Sequence, residues 1–280
     1  MKNRLSKTAS RVLIVSGIVF SVVCHGQNSE NAFNIHMYAL PSGRPDNDPA
    51  KYRMTAEYIN RDLYGNFTGK SKVTGDYTRG LDGGYVSWNN VYISNATGYL
   101  DPFPAGVKQE YMENMKFIPS KEMLHENAFI DFPSSPDNVL ARNLIWDMMA
   151  FEGFSWGYSD SLEINKPFIS KNEEEFDMAE IGKYNHKKII LCWQGISEIN
   201  NEVCAVIDFN CIDNIIKLTL DQMSSTGTEQ YWGTTWISLK TNNIEQAVMY
   251  SGTMQEIQVR GLENKFLAKT IREIWVERID

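Results

Sequence analysis

The chain is poor in the residues that most catalysis and metal binding draw on. It holds four histidines and four cysteines in 280 residues. His25 and Cys24 sit in the N-terminal segment, and His36, His125 and His186 are isolated in sequence. Eleven residues separate Cys192 from Cys204 and six separate Cys204 from Cys211. These spacings match no zinc pattern. Three thiols cannot all pair within one chain. They read as small buried apolar side chains, with a Cys192–Cys211 disulfide as the alternative. The G-x-S-x-G elbow, the H-E-x-x-H helix and the Walker loop are all missing. The sequence therefore names no catalytic residue, no metal ligands and no cofactor, and an enzymatic role is the less favoured expectation. Positive charge is also scarce, with 27 Lys+Arg against 35 Asp+Glu. An acidic surface repels nucleic acid, which is excluded as a partner.

What the first residues hold is a leader. Lys2, Arg4, Lys7 and Arg11 precede the apolar run Val12–Val23, and the small Gly26 precedes Gln27. That pattern is a secretory signal peptide over residues 1–26. An uncleaved anchor is one alternative. Lipid attachment at Cys24 is another, although the preceding Ser21-Val22-Val23 suits it poorly. Cleavage leaves 23 basic against 35 acidic residues, a net charge of −12. No later segment is apolar enough to span a bilayer. The expectation is an exported protein, periplasmic or extracellular, with residues 27–280 as a single β-rich domain and a sub-boundary near 160–187.

The strongest structural signal lies late, in Tyr231–Gly261. It reads as two long strands with Asn242-Asn243 at the turn, since Asn tolerates positive φ. That register sets Trp236 against Met249 and Tyr231 against Met254. Trp232, Trp236, Ala247 and Met249 then share one face. Tyr231, Thr235, Ile237, Val248 and Tyr250 share the other. Both faces are partly apolar, so each requires cover.

Elsewhere, 51–63, 71–77 and 84–93 read as strands, and 32–40 as a weaker one. Residues 107–126 read as short helices interrupted by Pro119. Ser135 and Pro136 start the principal helix, 136–152. Leu140, Leu144 and Met148, with Ala141, Ile145 and Met149, form a wide apolar stripe. Gly153 is its expected stop, and Asp147 and Glu152 its solvent face. Residues 188–196 and 202–212 form a second hairpin about Asn200-Asn201, followed by strands at 215–220 and 266–278. Runs of strands around one helix give an α+β class. The expected architecture is a mainly antiparallel, strongly curved sheet or half-barrel packed on that helix.

A Trp-Ile-Ser-x5-Ile-x2-Ala-x-Met hairpin (Trp236 to Met249) in an exported chain resembles the periplasmic lipoprotein-carrier half-barrels. The resemblance covers the last hundred residues. It implies an apolar groove for acyl chains and no catalysis. Residues 32–135 have no counterpart in that family, and the helix lies mid-chain rather than at the beginning.

Three functional readings follow. The first is a non-enzymatic binder of a lipid or other apolar or amphipathic small molecule, its groove lined by Trp193, Trp232, Trp236, Met249 and Met148. The second is a carbohydrate-active enzyme or sugar-binding module. It would draw on Asp76, Asp82, Asp101 and Asp131 in the aromatic, Gly-rich half. The third is a structural or partner-binding surface protein.

Overall fold

The computed structural model describes residues 38–45, 49–133, 136–170, 174–179 and 181–279. These belong to one compact unit, Ile35–Asp280. The expected leader at 1–26 with Cys24, His36, Ser135 and most of the strand expected at 32–40 lie outside them.

The strands are β1 (Ala50–Asp62), β2 (Phe67–Leu81), β3 (Tyr85–Ala96), β4 (Val107–Lys108) and β5 (Met115–Phe117). After helix α1 (Pro136–Trp156) come β6 (Phe168–Ser170), β7 (Glu174–Asp177), β8 (Gly182–His186) and β9 (Lys188–Ile199). They continue as β10 (Glu202–Leu220), β11 (Met223–Ser238), β12 (Ile244–Val259) and β13 (Phe266–Arg278). All thirteen join one open sheet, in the order β4-β3-β2-β1-β13-β12-β11-β10-β8-β7, with β5 on β3, β9 on β10 and β6 on β9. Every pairing between these strands is antiparallel.

The two halves of the chain meet where β1 pairs β13, from Tyr52 opposite Arg278 to Asp62 opposite Ala268. Alternation in β1 explains its strand state. Tyr52, Met54, Ala56 and Tyr58 are buried, while Lys51 and Arg53 are exposed. The strands expected at 202–212 and 215–220 are one strand, β10, with Asp213 in the left-handed region at φ 61° and a register shift between Cys211 and Asn214. Such a bulge bends the strand without ending it. It divides the edge of β10 between β9 and β8.

The sheet curves around α1. Tyr77 on β2 donates its hydroxyl proton to Glu152 Oε1 at 2.7 Å. The next helix residue back, Phe151, meets Phe209 of β10 edge-on at 6.1 Å. β2 and β10 are five strand spacings apart in the sheet order. On a flat sheet that is about 24 Å. A helix with its side chains is about 10–12 Å across. Adjacent helix residues reach both strands because the strands bend toward them. Gly75 permits the approach on one side, since a Cβ there would stand 3.1 Å from Leu144 Cδ2 and 3.0 Å from Val91 Cγ2. On the other side Gly233 leaves room for the Phe209 ring that packs on α1, since a Cβ there would lie 2.6 Å from that ring.

Several local expectations are overturned. Residues 107–129 hold three 3₁₀ turns and two short strands rather than helices. Gly153 does not stop α1, which runs on to Trp156. An interior glycine costs a helix about 1 kcal/mol. The next turn offsets that: Phe154 stacks on Phe209 at 4.4 Å, and Trp156 Nε1 donates to the Asn242 carbonyl at 3.0 Å. Asp147 and Glu152 are buried rather than solvated, because the sheet supplies arginines to both. Cys192, Cys204 and Cys211 are all free thiols, so the alternative disulfide is not made.

The Asn200-Asn201 turn forms as expected, with both residues at positive φ and Ile199 opposite Glu202. The Asn242-Asn243 turn does not. Only Asn242 has positive φ, and the loop runs from Leu239 to Asn243. Ser238 Oγ accepts from the Lys240 and Thr241 N–H groups at 3.2 and 3.0 Å, and Asn242 Nδ2 reaches the Gly43 carbonyl at 2.7 Å. Ile237 therefore pairs with Ile244, four residues from the expected Val248, and a bulge between Trp236 and Ile237 sets Trp236 opposite Gln246, three residues from the expected Met249. An odd shift exchanges the faces of one strand relative to the other.

Candidate functional site

Between α1 and the inner face of the sheet lies a cavity of about 640 Å³. Its apolar wall comes from Leu140, Trp146, Met149, Ala150 and Phe154 of α1, and from Leu124, Phe176, Met178, Ile181, Ile216 and Leu218. Its lining residue Leu220, at the end of β10, is 39% exposed.

The floor is built in transverse rows by the strand register. One row is apolar and meets the cavity through Met249: Gly233, Met249, Ile274 and Ala56 stand side by side across β11, β12, β13 and β1. Two residues along each strand, the same face carries Tyr231, Ser251, Arg272 and Tyr58. The next row is Glu229, Thr253, Thr270 and Asn60. Alternation puts all three rows on one face. The cavity thus has mostly apolar walls and a polar strip on the sheet, to which α1 adds Asn143 and Asp147.

The strip centres on Arg272. Its guanidinium pairs with Asp147 of α1, stands 3.7 Å from Glu229 Oε1, and lies over the Tyr58 ring at 5.1 Å. Burial opposes the charge of Arg272, but Asp147, Tyr58 and Glu229 together hold it protonated. Burial, with Glu229 nearby, lifts the Asp147 carboxyl to about 6 despite Arg272. Thr253 Oγ1 donates to Glu229 Oε1 at 3.3 Å. Tyr231 and His186 share a 2.6 Å hydrogen bond between the hydroxyl and Nε2, with their rings stacked at 5.9 Å. Beside them, burial pushes the Cys211 thiol up to about 12, so it stays protonated and unreactive. Ser251 Oγ is buried without a hydrogen-bond partner, as is Arg272 Nε.

Of the five residues read as groove-lining, Met249 lines this cavity. Met148 is buried in the core, and Trp193 is buried with Nε1 donating to the Gly195 carbonyl at 2.8 Å. Trp232 and Trp236 stand on the face of the sheet opposite Met249, not on the same face as the expected register had them. Trp232 is 45% exposed and stacks on Tyr250 at 6.0 Å. That cross-strand pair shields part of its own surface. Sequence reasoning missed Asp147, Glu229, Ser251 and Arg272. The alternation of Thr270, Arg272, Ile274 and Val276 in β13 was the available signal, an arginine in phase with core residues.

The acids read as sugar-binding candidates are apart from this site. Asp76 is held by Arg53 at 2.9 Å and Asn90 at 2.9 Å, and Asp82, Asp101 and Asp131 are exposed. Among the described residues, no group of His, Cys, Asp and Glu is placed to hold a metal, and no helix is long and apolar enough to cross a membrane.

No family model and no curated protein matches the chain, so the lipoprotein-carrier likeness has no counterpart there. Among solved structures, it is similar to lipovitellin, from a study of lipid–protein interactions, at 10% identity and a TM-score of 0.42. That match covers 83% of this chain and 25% of lipovitellin, so the chain spans about a quarter of the lipovitellin length. A DUF1329 family protein from Desulfovibrio piger matches at 6% identity and a TM-score of 0.15, over 82% of this chain and 85% of that one. Likenesses at these scores do not bear on what this chain binds.

Proposed function

We propose that this protein binds a small apolar or amphipathic molecule between α1 and the sheet, without catalysing a reaction on it. The sheet acts as a half-barrel and the helix as its plug. One observation carries this reading: a cavity of about 640 Å³ with mostly apolar walls and one confined polar strip, centred on Arg272. Small-molecule sites have this character, with mostly apolar walls and a few placed polar groups. The volume falls in the range of such sites. The leader at 1–26 supports export, with the binder working in the periplasm or outside the cell.

Fluorescence of N-phenylnaphthylamine, an uncharged probe that brightens in apolar surroundings, tests the reading. Saturable brightening is expected, and it should weaken when Ala150, which lines the cavity, is replaced by Trp. A probe that stays dark at every protein concentration would refute it. Export is tested separately by sequencing the N-terminus of protein recovered outside the cytoplasm, where Gln27 is the expected first residue.

A further inference from the structure

The polar strip carries an imbalance of charge. Asp147 and Glu229 both face Arg272, the cation among the cavity's lining residues, while Asp177 lies nearer the exposed end and His186 is engaged with Tyr231. A ligand ending in a carboxylate would bring a further acid to one guanidinium already flanked by two. Bringing like charges together in a desolvated site is strongly unfavourable. The unpartnered atoms point to a different headgroup. Ser251 and Arg272 are cross-strand neighbours, and Ser251 Oγ and Arg272 Nε both lack partners. Ser251 is 1% exposed and lines the cavity. Arg272 Nε can only donate, Ser251 can do either, and Glu229 accepts when ionised. A hydroxyl is both donor and acceptor and adds no charge. An ammonium could satisfy Glu229 but offers no acceptor to Arg272 Nε.

Building on the binding reading above, we infer that the cavity takes an apolar molecule whose polar end is an uncharged hydroxyl, and selects against one ending in a free carboxylate. The hydroxyl would lie at Ser251 and Arg272 with its chain along the α1 wall.

Displacement of bound N-phenylnaphthylamine by decanol, decanoate and decylamine tests this on the full chain. Decanol is expected to displace the probe at a concentration at least about tenfold below decanoate. Decanoate is also better hydrated, so the deciding comparison uses Glu229→Gln. Removing the excess acid should narrow the decanol–decanoate gap severalfold, whereas a gap due to hydration alone would not move. Ser251→Ala, a smaller change, should narrow the same gap by weakening decanol. It carries the test if Glu229→Gln does not fold. Equal displacement by decanol and decanoate, a gap that neither variant moves, or tighter binding of decylamine than of decanol would overturn the headgroup assignment while leaving the cavity's binding role intact. Failure of the probe itself to bind would instead remove the reading beneath it.

Discussion

The Tyr77 hydroxyl donates to Glu152 at 2.7 Å, joining the first half of the sheet to the last third of α1 inside the core. Glu152 is 1% exposed and also stands 3.3 Å from Arg79 Nε, itself buried, and 3.6 Å from Arg44. Arg79 in turn lies over the Trp156 ring at 4.2 Å. This cluster fixes how the helix sits above the cavity.

Glu152→Ala should therefore destabilise the fold by about 3–5 kcal/mol, because it removes the buried carboxylate that both Arg79 and the Tyr77 hydroxyl face. Urea denaturation measures it. A loss below about 1 kcal/mol would show that the cluster does not hold the helix.

Asp147 makes stability depend on pH. Its carboxyl is raised from 3.8 to about 6 by burial, with Glu229 adding to the effect and Arg272 opposing it. The folded state then binds the proton more tightly than the unfolded state. Its contribution is fully present below about pH 3.8 and is lost as pH rises through about 6. The shift corresponds to about 3 kcal/mol. Compared with Asp147→Asn, the wild-type protein should lose roughly that much relative stability between pH 4 and 7. Parallel denaturation curves across that range would contradict the assignment.

Gly153 lines the cavity, and a Cβ there would meet nothing within 4 Å. Gly153→Ala should stabilise the protein by about 0.5–1 kcal/mol through helix propensity alone. Gly153→Leu should keep the fold, occupy the cavity and weaken probe binding by tenfold or more, about 1.4 kcal/mol. Thermal melts and probe titrations on the two variants separate the effects.

Trp232 reports on the other side of the sheet. Its ring is half-exposed and stacked on Tyr250, away from the cavity. Trp232→Ala should cost about 1 kcal/mol or less in stability. It should leave the probe affinity unchanged within error. A large drop in probe affinity would place the ligand on the outer face instead.

The sequence was most legible where local chemistry was enough. The Pro136 helix start, the alternation in β1 and the Asn200-Asn201 turn all form as their residues suggest. The same Asn-Asn pair failed at 242–243. There Gly43, Trp156 and the Ser238 hydroxyl hold a longer loop, and two of those partners are far away in sequence. The buried acids of α1 were misread for a related reason. A carboxylate on a helix looks solvated until its arginine is known, and Arg272 lies 125 residues from Asp147.

Residue pattern alone determined that this chain is a mainly antiparallel sheet with one principal helix, since periods of two and of about four are written into each segment. Tertiary structure decided which side of each strand faces that helix. The reason is parity: one odd step turns a strand's side chains over. The 239–243 loop moves the register at Ile237 by four, an even step, and the bulge between Trp236 and Ile237 makes it three. That bulge puts Trp232 on the face opposite Met249 and Ser251.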